Sequence, residues 1–262
     1  MNLDDLPPGL EHGWLVPRWP APAGVRAVMT TREPGLGSPP YQGYNLASHV
    51  GDDPGTVARH REMFATALGA QPVFLDQVHG TTVVPLSRAT LPAVPPRADA
   101  AWTAEPGLAC VVMVADCLPV LFAAPQGRAV AAAHAGWRGL AAGVLEATVS
   151  SLCRAASCAP RDLVAWLGPC IGPRRFEVGE EVRLVFEQAG GPQARGYFRP
   201  AELPGKWLAD LAGLAQWRLA DAGVQRVSGG QWCTVEDPSR FYSFRRDRVT
   251  GRMAAAVWIE RG

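Results

Sequence analysis

The longest apolar stretch, Leu108 to Pro125, constrains this chain more than any other segment. It is long enough to raise the question of a membrane span. However, Asp116 and Pro119 lie inside it, so two strands around a polar turn fit better. A strand that faces water on one side alternates apolar and polar residues, whereas these runs are apolar at nearly every position. They therefore predict strands buried on both faces, with further layers packed on each side of a sheet. Arg128 to His134 has the same character, and Asp99 to Trp102 opens another such run.

The remaining elements follow from periodicity and punctuation. Val25 to Thr31 reads as a strand, and Glu33 to Gly43 as a loop rich in proline and glycine. Thr56 to Leu68 has helical spacing, with Val57, Phe64 and Leu68 near one face, and Gly69 ends it. Pro72 to Val78 and Thr82 to Leu86 read as strands. A helix is predicted from Leu140 to Ala155, with Leu140, Val144, Thr148 and Leu152 on one face. Leu163 to Leu167 is a strand, Val178 to Ala189 a helix, Gly190 to Pro204 a loop and Leu208 to Ala222 a helix. Val224 to Ser228 and Met253 to Ile259 close as strands. The first 25 residues, rich in proline and tryptophan, are expected to wrap an edge of the fold. With no repeat and no linker, residues 1–262 are expected to form a single α/β or α+β domain with mixed sheets.

Composition narrows the partners. A net charge of +1 gives no electrostatic case for nucleic acid or an acidic membrane surface. The acidic start, Met1 to Pro8, has no apolar core of a secretory signal, so a cytoplasmic protein is expected. No pair among the six cysteines has CxxC spacing, and such a chain should keep its thiols reduced. Cys110, Cys153 and Cys158 read as filler, whereas Cys117, Cys170 and Cys233 stand beside turns and polar groups.

Three apolar runs end in reactive side chains: Phe74 to Gly80 in His79, Val114 to Phe122 around Asp116 and Cys117, and Ala131 to Gly139 in His134. Two imidazoles and a thiolate suit zinc or copper, and catalytic zinc typically has three protein ligands and an open position. Such a metal lowers the pKa of bound water toward ~7. His79 and Cys117 are 38 residues apart, and His134 is 17 further on, which fits ligands delivered from several strand ends rather than a zinc finger. The same residues also fit Cys117 as a nucleophile with His134 as its base. Asp116 is either an acid/base or a carboxylate that orients one of the histidines. Arg138, Arg245 and Arg246 are candidate phosphate ligands, and Asn45 a candidate polar contact to substrate. Trp137, Phe241, Tyr242 and Phe244 are candidates to stack on a flat ring. Cys170, in the constrained loop Gly168 to Pro173, is expected on a pocket wall. His49 and His60 read as surface residues.

Six motifs occur here in one order: Asp76-Gln-Val-His-Gly80, Ala115-Asp-Cys-Leu-Pro-Val120, His134-Ala-Gly-Trp-Arg-Gly139, Gly168-Pro-Cys-Ile-Gly172, Phe176-Glu-Val-Gly179, and Phe241 to Asp247 with Thr250-Gly-Arg252. Together they resemble the YfiH-like, or laccase-domain (multicopper polyphenol oxidase), family of purine nucleoside phosphorylases, over nearly the whole chain. The resemblance implies a layered α/β/β/α fold with mixed sheets, shared with a bacterial cytotoxin's cysteine-hydrolase domain. It implies metal ligands at His79, Cys117 and His134. It also implies zinc-dependent phosphorolysis of adenosine, inosine and 5′-methylthioadenosine, with adenosine deaminase side activity and incidental copper-dependent polyphenol oxidation. Some members are linked to editing of peptidoglycan precursors, so a cytoplasmic cysteine- or metal-dependent amidase is the alternative. The implied partners are a nucleoside and phosphate, with the chain a monomer or homodimer. Ala215 stands near a position where relatives often carry Asn.

Overall fold

Two sheets stacked face to face carry the molecule, and the doubly buried strands explain why. The computed structural model describes residues 13–91 and 93–261. Strand β5 (Leu108–Val114) is buried throughout. Its Leu108, Cys110, Val112 and Val114 point into the space between the sheets, and Ala109, Val111 and Met113 point the other way. Beside it run β1 (Val25–Met29), β2 (Gln71–Val73) and β13 (Met253–Ile259), in the order β1-β13-β5-β2, with β2 parallel to β5 and the other pairs antiparallel.

The second sheet has six strands: β3 (Val83–Pro85), β4 (Ala100–Thr103), β6 (Leu118–Ala123), β7 (Val130–Ala135), β8 (Val164–Leu167) and β12 (Arg226–Gly229). Their order is β12-β8-β6-β7-β4-β3. Helix α1 (Pro54–Leu68) covers the outer face of the four-stranded sheet through Phe64, Ala67 and Leu68. The Asp53 side chain caps its start by accepting from Thr56 N at 2.7 Å, Pro54 occupies the first turn, and Gly69 ends it in the left-handed region at φ 59°. Helices α2 (Trp137–Ala142), α3 (Val144–Ala156), α4 (Glu180–Gly190) and α5 (Leu211–Asp221) cover the outer face of the six-stranded sheet. The layers are therefore α/β/β/α with mixed sheets, as expected.

Several local expectations are corrected. The helix predicted from Leu140 is two helices, because Gly143 adopts φ 100° and its N–H turns back to the carbonyls of Gly139 and Leu140. Leu140, Val144, Thr148 and Leu152 are all buried nonetheless, so one apolar face continues across the break. The expected loop after Gly190 contains β10 (Phe198–Pro200), which pairs with β11 (Lys206–Ala209), which in turn pairs with β9 (Glu177–Gly179). The strand expected over Pro72 to Val78 stops at Val73. A last short helix, α6 (Phe244–Asp247), begins at Ser243, whose side chain accepts from Arg246 N. His60 is fully buried rather than exposed. Its Nδ1 is 2.8 Å from Asn45 O and its Nε2 accepts from Leu36 N at 2.9 Å, an arrangement that fits a neutral ring, and burial lowers its pKa. The expectation that the N-terminus wraps an edge falls outside the described residues for 1–12; beyond them, Leu15 pairs with Met29 beside β1.

The space between the sheets has no accessible surface at Val112, Leu121, Ala132 or Ala255. Leu121→Ala leaves a cavity there and should cost about 2–5 kcal/mol in denaturant unfolding. Val94→Ala, at a residue 71% exposed, should stay within about 0.5 kcal/mol of the parent. Equal losses from the two changes would contradict the layer assignment.

Candidate functional site

Strand parity decides where the first ligand points. In β7, Ala131, Ala133 and Ala135 face the helices, whereas Val130 and Ala132 face the other sheet. His134 continues the second row, so its ring lies at the end of the inter-sheet layer, 97% buried. Its backbone N donates to Asp99 O, and its Nδ1 lies 2.8 Å from Asp99 Oδ1.

Asp99 has no accessible surface, and its carboxylate accepts three more hydrogen bonds, from the backbone N of Val78, His79 and Gly80 at 3.2, 2.8 and 2.7 Å. Three successive N–H groups converge on one carboxylate because His79 adopts φ 61°, a region unusual for a residue other than glycine. Burial alone would raise the Asp99 pKa, but the bonds from His134, Gly80 and His79 hold it below the ordinary value. From the sequence, Asp116 is either an acid/base group or the carboxylate that orients a histidine; in the structure the carboxylate on His134 is Asp99. The available signal was a carboxylate at the head of an otherwise apolar strand.

Cys117 arrives from the turn between β5 and β6, where Asp116 adopts φ 90°. Its Sγ is 3.6 Å from His79 Nε2. The rings of His79 and His134 meet edge to face with centroids 4.8 Å apart. One ligand atom from each of His79, Cys117 and His134 lies within 4.8 Å of the others. Zinc–nitrogen and zinc–sulfur bonds of about 2.0–2.3 Å place tetrahedral ligands about 3.4–3.6 Å apart, so this set fits a metal after a small contraction. Since Nδ1 of His134 is held by Asp99, its Nε2 is left free to ligate a metal, and the carboxylate fixes the tautomer. The described residues offer this one group of three ligands, not the several sites of a multicopper cluster.

A cavity of about 140 Å³ opens beside Cys117. Trp137, Ile171, Phe176, Leu211 and Phe244 supply its apolar wall, and Asp116 and Arg245 its polar one. Asp116 accepts from Thr234 Oγ1 at 2.5 Å and from Arg245 N at 2.6 Å, and so ties three loops together at the wall. Arg245 places Nη1 on the carbonyl of Glu177, and its guanidinium lies 5.6 Å from the Phe176 ring centre.

The other residues singled out from sequence lie elsewhere. Arg138 is exposed and stacks on Trp137 at 4.4 Å. Arg246 donates to the carbonyls of Thr234, Val235 and Phe241 and pairs with Asp247, so its guanidinium is committed to holding the chain around α6. Asn45 is fully buried and bonded to Ala47, Asp52 and Arg252 N, a structural clamp in place of the expected substrate contact. Cys170 is buried behind the wall, which its neighbour Ile171 forms, and burial pushes its thiol well up. Phe241 and Tyr242 belong to the core, with no accessible surface. His49 is exposed, as expected.

Residues 26–260 match the family model for multi-copper polyphenol oxidoreductase laccase. The chain belongs to this family. Among its relatives is a protein of Pseudomonas aeruginosa named purine nucleoside phosphorylase, 51% identical over 249 residues, covering 95% of this chain and 99% of the relative. The YfiH protein of Escherichia coli, also named purine nucleoside phosphorylase, is 48% identical, covering 94% of this chain and 98% of its own length. The crystal structure of Neisseria meningitidis protein NMB0706 superposes with a TM-score of 0.89 at 44% identity, covering 95% of this chain and 99% of that one. The laccase-domain family thus accounts for the fold and for nearly the whole chain.

Two tests follow from the geometry. A Cβ on Gly136 would lie 2.7 Å from His79 Cδ2 and 3.0 Å from Cys117 Sγ. Its φ of −63° suits any residue, and the His79 ring can swing outward. Gly136→Ala should therefore keep the fold, by circular dichroism, while bound metal falls at least ~10-fold. Full metal content would contradict the packing described.

The second test concerns the metal-free protein. Burial pushes the Cys117 thiol up, but the His134 imidazolium and hydrogen bonds from both histidines outweigh it and bring the thiol down to about 6. Burial lowers His134, but the thiolate and Asp99 carry it up to about 9. Cys117, depressed from about 9, stabilises fully above that pH and loses its contribution as pH falls through about 6. His134, raised from 6.5, stabilises fully below that value and loses its contribution as pH rises through about 9. The thiolate–imidazolium pair thus spans roughly pH 6–9. Ultraviolet thiolate absorbance of metal-stripped protein should fall by one thiolate on acidification with a midpoint near 6, a step that should be missing in Cys117→Ser. A midpoint near 9 would contradict the pairing.

Proposed function

We propose that this chain is a zinc-dependent purine nucleoside phosphorylase acting on adenosine, inosine and 5′-methylthioadenosine, with adenosine deaminase side activity. The observation that carries this reading is the His79–Cys117–His134 set, whose Cys117 lines a cavity walled by Trp137, Phe176 and Phe244. Close relatives named purine nucleoside phosphorylase support it.

In phosphorolysis a phosphate oxygen bonds to the ribose anomeric carbon as the bond from that carbon to the purine nitrogen breaks. The electron pair leaves with the purine, which gains a proton, and the products are the free base and ribose 1-phosphate, or 5-methylthioribose 1-phosphate from 5′-methylthioadenosine. Trp137, Phe176 and Phe244 hold the flat base and exclude water from it. Arg245, across the cavity, and Arg138, stacked on Trp137, contribute positive charge around the substrate. Asp116 is the acid/base group on the wall. Cys117, His79 and His134 would hold zinc, which would supply Lewis acidity there. Asp99 fixes the His134 ring so that Nε2 faces the metal.

No helix among the described residues is long and apolar enough to cross a membrane. We place the protein in the cytoplasm, as a monomer or homodimer without nucleic-acid partners. Copper fits the same ligands, which makes polyphenol oxidation incidental, since the whole chain has five histidines. The second reading, an amidase acting on peptidoglycan precursors, is favoured by the low pKa of Cys117 beside His134, the signature of a cysteine nucleophile.

Zinc-loaded protein incubated with adenosine should release adenine only when phosphate is present, by chromatography. Inosine formed without phosphate would make deamination the main chemistry. No product from any of the three nucleosides, with amide cleavage by metal-stripped protein, would overturn the proposal in favour of the amidase. Cys117→Ala should lose bound zinc and turnover together, the latter by more than the ~10–100-fold that losing a ligand's supporting partner costs.

A further inference from the structure

Phosphate is a substrate of the reaction proposed above, and a second group of cations lies beside the metal ligands. The loop after β1 returns along Tyr44 to Asp52 and is fastened at several points. Arg61 Nε, on α1, donates to Leu46 O at 2.8 Å. Leu46 N donates to Arg252 O at 3.2 Å, and Arg252 N donates to Asn45 Oδ1 at 2.8 Å. Tyr41 Oη donates to Val50 O. Arg61, from a helix, and Arg252, from the lead into β13, are thus both fixed at Leu46, with His49 three residues further along the same loop.

Both arginines are only partly exposed, and neither forms an ion pair among the described residues. Arg252 bonds the carbonyls of Thr250 and Gly251 through Nη1 alone, which leaves Nε and Nη2 without a hydrogen bond. Arg61 stacks on the Phe74 ring at 4.2 Å and hydrogen-bonds through Nε alone among the described residues, which leaves both terminal nitrogens as donors. A partly buried guanidinium normally has a carboxylate partner. Burial lowers the pKa of both, and that of His49 is lowered by burial and then by the charges of Arg252 and Arg61, so two guanidinium cations and an imidazole kept neutral share one neighbourhood, with Asp76 as an opposing charge. The group borders the metal ligands: the Arg252 guanidinium is 5.8 Å from the centre of the Phe244 ring, which walls the Cys117 cavity, and it feels the charges of Cys117 and Asp116.

We propose that Arg61 and Arg252, with His49 at the rim, form the site that binds inorganic phosphate, beside the Phe244 wall of the Cys117 cavity. The proposal rests on the phosphorylase reading for its biological role. Arg245 belongs to the base side, over Phe176. The two terminal nitrogens of Arg61 and the Nε–Nη2 edge of Arg252 are N–H donors without a hydrogen bond among the described residues, and a guanidinium edge of this kind binds phosphate oxygens in pairs. Asn45 acts here as a positioning residue, since its amide sets both the loop and the Arg252 backbone.

The test uses zinc-loaded full-length protein with Arg252→Met, Arg252→Lys and Arg61→Met. Each methionine variant should raise KM for phosphate about 10-fold or more, the equivalent of one charge-assisted pair, while nucleoside KM stays within about 2-fold and zinc content is unchanged. Arg252→Lys should fall between, since it keeps the charge and loses the paired donors. Titration with inorganic phosphate alone, by calorimetry, should show binding to the parent and its loss in both methionine variants. If Arg252→Met does not fold, Arg61→Met carries the same comparison. Base release with an unchanged phosphate KM in the methionine variants would overturn the site and leave the phosphorylase reading intact. Phosphate binding that is lost in the variants, in a parent that releases no base, would uphold the site and overturn that reading.

Discussion

The site depends on one buried carboxylate. Asp99 receives three consecutive backbone N–H groups from the His79 turn and the Nδ1 of His134. Each bond taken alone is modest, but a carboxylate without accessible surface would be costly if they were missing. The bonds and the charge therefore require each other. Their joint result is that two histidines from chain segments 55 residues apart face the same point. The left-handed backbone at His79 is held by this clamp, and it turns the ring toward Cys117 rather than away.

The layers supply the remaining precision. Period-2 alternation in β7 sends His134 into the inter-sheet space, and the turn from β5 to β6 delivers Cys117 to the same edge. Gly136 then lets helix α2 start without a side chain in the way of the ligands, and Gly139 lets it pass close to Gly80. Trp137, the first residue of that helix, becomes a wall of the cavity. The pocket is apolar along Trp137, Phe176 and Phe244 and polar at Asp116 and Arg245, and Arg252 lies against the Phe244 ring that walls it.

Much of this was legible in the sequence because it rests on strong local patterns. Strands apolar at every position gave the stacked sheets, and α1 followed from its spacing and Gly69. The convergence of His79, Cys117 and His134 was legible because each reactive residue ends an apolar run. What was not legible depended on tertiary partners. β9, β10 and β11 are three or four residues long, too short to show alternation. The break at Gly143 leaves the apolar face unbroken, so periodicity alone does not reveal it. His60 is buried because Leu36 and Asn45 satisfy both ring nitrogens, and neither bond is local. Asp99 looked like the polar end of a strand, and nothing nearby in sequence marks it as the partner of His134. Arg246 and Arg252 are both arginines in one motif region, and only their hydrogen bonds separate a structural clamp from a pair of open donors.

The central claim is that His79, Cys117 and His134 hold a single metal ion while Asp99 holds His134. Crystals of the zinc-loaded protein, measured above and below the zinc absorption edge, test it most directly. The account predicts one anomalous peak within bonding distance of His79 Nε2, Cys117 Sγ and His134 Nε2, with Nδ1 of His134 still on Asp99. A peak at other residues, or additional metal peaks clustered around the same histidines, would contradict it.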